Sequence, residues 1–169
     1  MMRRAIWRAL ARSLGDGVTI AARASFRHLE RVSIGSGVFI GEAAILQGHF
    51  YSDCRIGDRV WIGLLAFLDA RALVLEHSSA IGPGAKVLTA GHCGLPPEAA
   101  VMATEPEGGP VQIGAGADIS AGALVLPGCR TGRGVIVGAG AVAPRDIPDQ
   151  AVTTGAPAHA VRLRGQART

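Results

Sequence analysis

The sequence predicts an all-β solenoid of short parallel strands wound into stacked triangular coils, with a short helix before them, a loop thrown out of one corner and a tail behind. Three observations carry this. Residues 113–142 divide into the hexads IGAGAD, ISAGAL, VLPGCR, TGRGVI and VGAGAV; four open on Ile or Val, and each has a small fifth residue (Ala117, Ala123, Cys129, Val135, Ala141). Composition agrees, since 24 of the 169 residues are Gly and 4% are aromatic, so any core is built from small units. Finally, the repeat stops after His92 for a segment holding Pro96, Pro97, Pro106 and Pro110.

A six-residue period fits neither an amphipathic helix nor an alternating strand. It marks a repeat architecture. The first and fifth residues of each hexad point inward, a large one followed by a small one, and Gly lets the backbone turn the corners. Three hexads close one coil of about 18 residues, and successive coils stack as parallel strands roughly 4.8 Å apart. Each coil buries its neighbour's face. The length fits one domain.

In chain order, residues 1–31 form an N-terminal helical and cap segment. Residues 2–14 read as an amphipathic helix, with Ile6, Leu10 and Leu14 on one side and Arg3, Arg8 and Arg12 on others. Gly15 is its stop. Such a helix caps the open edge of the first coil, and its basic character allows weak contact with a membrane surface. Arg8 and Arg12 interrupt the apolar run that a signal peptide needs, and no segment has transmembrane length. The β-helix domain covers residues 32–149, its hexads starting by Ile34 with IGSGVF and IGEAAI. The phase slips around QGHF after Leu46, resumes at Phe50 and gains one residue in LDARALV. Residues 93–112 are an extruded loop, of a length that is usually functional. Coils restart at Ile113 and run to about Pro148; residues 150–169 fold back as a C-terminal tail with a frayed end.

The formal charge is +4 and Lys86 is the only lysine, so the basic character is almost all Arg. The arginines gather at the ends: Arg3, Arg4, Arg8 and Arg12, then Arg162, Arg164 and Arg168. Solvated ends or anionic ligands account for that. Nucleic acid is not expected as a partner, for no basic face is interleaved with aromatics. Cys54 and Cys129 fall on fifth hexad positions, which predicts reduced, buried thiols and a cytoplasmic chain.

The hexads, the TAGH motif ending at His92, the loop and the ending PRDIPDQAVTTGAPAHAVR together resemble the hexapeptide-repeat acyltransferases over about residues 32–164. The galactoside and maltose O-acetyltransferases and other sugar acetyltransferases are most similar. The resemblance implies a left-handed parallel β-helix, against the usual right-handed crossover. It implies a homotrimer with acetyl-coenzyme A, the acyl donor, in the groove between neighbouring helices, the acceptor beside the loop, and no metal. His92 matches the catalytic histidine; imidazole, with a reference pKa of ~6.5, suits removal of a proton from a hydroxyl or amine attacking a thioester. Asp69, in LDAR, matches an acidic segment near the acceptor, with Ala70 where a second carboxylate often stands. Glu98 in the loop is a further acceptor candidate. Ala121 and Ala139 match positions one coil apart whose backbone groups grip the pantetheine arm. Pro144 and Arg145 match a Thr-Lys type pair and Arg162 a tail arginine, both arginines suited to pairing with phosphates. Asp118 and Ser120 depart from a pattern that often has Trp and Gly.

The expected activity is acetyl-coenzyme A-dependent O-acetylation of a sugar or glycoconjugate, with a backbone amide near the loop corner stabilising the oxyanion. N-acylation of an amino sugar or antibiotic would use the same base. Rival readings are a thiolate relay through Cys93, a carbonic anhydrase metal site drawn from His49, His77 and His92, and a non-catalytic β-helix used for assembly.

Overall fold

Inward-facing side chains at the first and fifth hexad positions fill a triangular tube. In the computed structural model, which describes residues 2–166, Ile113, Ala117, Ile119, Ala123, Val125 and Cys129 are all buried, as are their counterparts up to Ala143. Arg168 lies outside the described residues. Thr131, the one polar opener in the run, is also buried; its Oγ1 accepts a hydrogen bond from Gly114 N at 3.2 Å. The architecture is a left-handed parallel β-helix.

Three parallel sheets form its faces. The first stacks Leu73–Leu75, Val111–Ile113 and Arg130–Thr131; the second, Ala80–Ile81, Asp118–Ile119 and Ile136–Val137; the third, Lys86–Val87, Leu124–Val125 and Val142–Ala143. Strand partners in the last coils are offset by 18 residues, as in Asp118 with Ile136 and Leu124 with Val142.

Two kinds of glycine make this winding possible. The fourth residue of a hexad turns the corner with positive φ, for example Gly140 at 67°. Earlier coils place Ala43, Arg59, Leu65 and Ser78 in the same conformation at φ 53–59°, each at a cost of roughly 1–2 kcal/mol. The second-position glycines answer a different need, close approach of successive coils. A Cβ on Gly82 would sit 2.6 Å from Ala121 N.

Four boundaries differ from those expected. The solenoid begins well before residue 32: Ser13–Leu14, Thr19–Ile20 and Ser25–Arg27 already pair in parallel with Ser33–Ile34, Phe39–Ile40 and Ile45–Gln47. The helix is correspondingly short, Met2–Leu10. Gly15 is not its stop but a close-approach glycine against Gly35. The loop is tighter than 93–112, because Ala90–His92 pairs antiparallel with Pro106–Gly108 and Val111 already belongs to the first face. At the other end Ala151–Thr154 still pairs in parallel with the second face, and only then does His159–Leu163 fold back antiparallel on it.

The helix also packs on a different side chain. Trp7 is 2% exposed and meets Phe26 edge-on at 4.9 Å, whereas Ile6 and Leu10 are each 48% exposed. Its arginines are tied down: Arg4 and Arg8 both reach Asp16 at 3.3 Å, while Arg12 and Arg31 reach Asp53 at 2.8 and 3.1 Å. Hydrogen bonds from Arg12 and then Arg31 hold the Asp53 carboxyl below its ordinary value of 3.8. These pairs satisfy cations that a membrane-surface reading would need free. Trp7→Ala is expected to lower unfolding free energy by about 3–5 kcal/mol, measurable as a drop in the urea midpoint.

Candidate active site

The hairpin leaves the solenoid at the corner where the third face passes to the first. Its position follows from the coil geometry: Lys86–Val87 is the last strand of one coil on the third face, and Val111–Ile113 resumes on the first. His92 ends the outgoing strand, opposite Pro106. The ring is exposed, with Nδ1 2.8 Å from the Thr104 carbonyl oxygen. A carbonyl can only accept, so Nδ1 carries the proton and Nε2 keeps its lone pair. Thr104 is itself fixed: it is 6% exposed, its Oγ1 donates to Val101 O at 2.6 Å, and Oγ1 accepts from Gly94 N at 3.3 Å. The loop therefore holds one tautomer of His92 rigidly.

Asp69 does not perform that task. It lies one coil earlier at the same corner, 7% exposed, with Oδ2 accepting from Thr89 N at 3.3 Å and Oδ1 3.8 Å from Arg71 Nε. Its first role is to satisfy a corner amide. Glu98 is exposed at the hairpin tip. Cys93, half-buried, receives a hydrogen bond on Sγ from Leu95 N at 3.4 Å. The other two thiols are core groups, as expected; burial pushes Cys54 up to about 12, and burial plus Asp146 pushes Cys129 up to about 11.

Ala121 and Ala139 are both exposed, stacked at the corner between the second and third faces. The corner is laced by Gly122 N to Pro83 O and Gly140 N to Ala121 O, each 2.9 Å. Within one protomer they stand across the third face from His92. Pro144 and Arg145 share the His92 edge, farther along the solenoid, and border a recess of about 190 Å3 that His159 also lines. Arg162 does not line it; its Nη1 donates to Leu163 O and Gln166 O at 3.3 and 3.4 Å. Of the three histidines weighed as metal ligands, His77 sits at a different corner, beside Arg133 and Arg164. Among the described residues no group of three or more His, Cys, Asp or Glu is placed to hold a metal ion.

Sequence reasoning missed Thr104, Arg71 and Thr89. Arg71 stands in the LDAR motif and could have been found there. Nothing in the loop's composition signals that Thr104 returns to His92.

No protein-family model matches the chain. It is 34% identical to Nodulation protein L of Rhizobium meliloti over 133 residues, 75% of this chain and 69% of that protein. It is 31% identical over 125 residues to a putative acetyltransferase of Saccharomyces cerevisiae, 70% of this chain and 62% of that one. The chain spans about half the length of other curated acetyltransferases that it matches, in Schizosaccharomyces pombe and Mycobacterium tuberculosis. Among solved structures, AntD, an N-acyltransferase of Bacillus cereus in complex with dTDP-4-amino-4,6-dideoxyglucose and coenzyme A, superposes with a TM-score of 0.84 at 22% identity over 97% of this chain and 89% of that one. A maltose O-acetyltransferase of Clostridium difficile gives 0.69, also at 22% identity, over 97% and 75%.

Proposed function

Because the chain belongs to the hexapeptide-repeat acyltransferases, we propose that it is an acetyl-coenzyme A-dependent O-acetyltransferase of a sugar or glycoconjugate hydroxyl. The observation that carries the reading is the His92 imidazole, fixed through Nδ1 by the Thr104 carbonyl with Nε2 left to accept a proton. Nε2 takes the acceptor proton as the oxygen attacks the thioester carbonyl, and the carbon–sulfur bond breaks. The imidazolium then returns that proton to the departing coenzyme A thiolate. Ala121 and Ala139 supply a wall without side chains for the pantetheine arm. Arg145, beside the His159 recess, is better placed for phosphates than Arg162, whose guanidinium is partly used by its own tail.

His92 and the alanine corner stand on opposite edges of the third face, so we place the donor between two copies of the chain, in a homotrimer. Exposed Ile45, Trp61, Leu64 and Leu65 around the second and third faces support this, with Trp61 stacked on Phe39 at 5.9 Å. Packing between copies would bury that apolar stripe. Buried, unpaired Cys54 and Cys129 suit the cytoplasm. No described helix is long and apolar enough to cross a membrane. N-acylation of an amino sugar is the second reading, favoured by the closer superposition on the N-acyltransferase. The test is release of coenzyme A from acetyl-coenzyme A with paired hydroxyl and amino sugars. Acetylation at oxygen is expected; failure to bind coenzyme A at all would sink both readings.

A further inference from the structure

Below the hairpin, at the same corner as His92, lies a cavity of about 260 Å3 lined by Ser52, Arg71, Thr89, Ala90, Pro106 and Gly108. Two polar atoms in it have no partner. Thr89 is 2% exposed and its buried Oγ1 makes no hydrogen bond; the Arg71 Nε is likewise buried and unbonded. Leaving such groups unpaired is costly unless a ligand completes them. The Arg71 side chain is 31% exposed, and its one ionic neighbour among the described residues is Asp69, whose Oδ1 stands 3.8 Å from Nε, beyond hydrogen-bond range. Asp69 spends its other oxygen on Thr89 N. The guanidinium thus presents a fork of donors with no acceptor in the protein, beside a hydroxyl free to donate.

Planar donor forks of this kind match carboxylate and phosphate oxygens. The next corner along the edge adds a surface for a ring: residues 48–53 bulge out there, with Phe50 and Tyr51 56% and 84% exposed. We propose that the acceptor is an anionic sugar, carrying a carboxylate or a phosphate that Arg71 and Thr89 bind. The identification of the occupant as the acceptor rests on the acetyltransferase reading; the anion site itself does not. The Asp69 carboxylate behind the guanidinium lowers the local charge, so the expected preference is about tenfold rather than thousands.

The test is calorimetric titration of the full chain and its Arg71→Gln and Arg71→Lys variants with glucose, glucuronate, glucose 1-phosphate and, separately, coenzyme A. At least one anionic sugar should bind about tenfold more tightly than glucose. The ratio should fall to about one in Arg71→Gln and to an intermediate value in Arg71→Lys, which keeps the charge but loses the fork. Which of the two anions wins decides between carboxylate and phosphate. Equal affinity for all three sugars, no binding of either anion, or a preference that survives Arg71→Gln overturns the proposal. Should Arg71→Gln fail to fold, an undiminished preference in Arg71→Lys overturns it equally. Coenzyme A should bind all three proteins alike; its failure to bind the parent chain would remove the acetyltransferase reading while leaving the anion result to stand or fall by itself.

Discussion

His92→Ala is expected to lower turnover by about 10²- to 10⁴-fold while leaving coenzyme A affinity and the thermal midpoint nearly unchanged. The reasoning is local. The ring is exposed, packs into no core, and makes one protein hydrogen bond, to the Thr104 carbonyl. Its removal leaves that carbonyl without a partner at a solvent-facing position, a change typically worth within ~0.5 kcal/mol. What disappears is the one lone pair held in a fixed direction beside the hairpin. Single-turnover acetyl transfer and coenzyme A titration separate the two effects. The control is Cys93→Ala, expected to keep most of the activity because its sulfur is occupied by the Leu95 amide. The reverse outcome, with Cys93→Ala inactive and folded and His92→Ala active, would replace direct transfer by a covalent relay.

The coils were legible because burial repeats them: each inward position from Ile113 to Ala143 is filled by the residue that the hexads nominate. The first coil was legible too, and was missed. Leu14, Val18, Ile20 and Ala24 keep the inward spacing of one and five, but Leu14 also continues the helical spacing of Ile6 and Leu10. Strand pairing with Ser33–Ile34 won over that helical period, since it gives Ser13–Leu14 a full partner strand and gives Trp7 a core to cover. The tail boundary slipped for a similar reason, as Ala151–Thr154 adds a last strand without a hexad's opening Ile-Gly. At the site, His92 could be read from TAGH at the end of the repeat. Its Thr104 partner could not, for that contact depends on how a loop with no periodicity folds back twelve residues later. Asp69 was readable as an acidic corner residue, yet whether it faces a ligand or a backbone amide is decided by Thr89 in the next coil. Arg162 shows the opposite limit: its charge suited a phosphate, and the tail's own carbonyls bound it instead.

Ala139→Trp is expected to weaken coenzyme A binding by about 30- to 100-fold with His92 chemistry intact once the donor is saturating. Ala139 is exposed at the third place of its hexad, and Gly140 beyond it turns the corner with positive φ. An indole there lies outside the core, so unfolding free energy should move by no more than about 0.5 kcal/mol. What it does cover is the backbone of the corner, from Ala121 to Ala139, where a pantetheine arm would have to approach closely enough to exchange hydrogen bonds with peptide groups. Losing about two such bonds and their contacts accounts for the predicted factor. Ala121→Trp, one coil away, should act the same way, whereas Arg145→Ala should cost less and in a salt-dependent manner, because an exposed guanidinium is screened. This contrast locates the donor. If both tryptophan variants bound coenzyme A as the parent does while Arg145→Ala did not, the arm would run along the His92 edge of a single protomer. The alanine corner would then be bare for packing between copies, and the catalytic groove would not need a second chain.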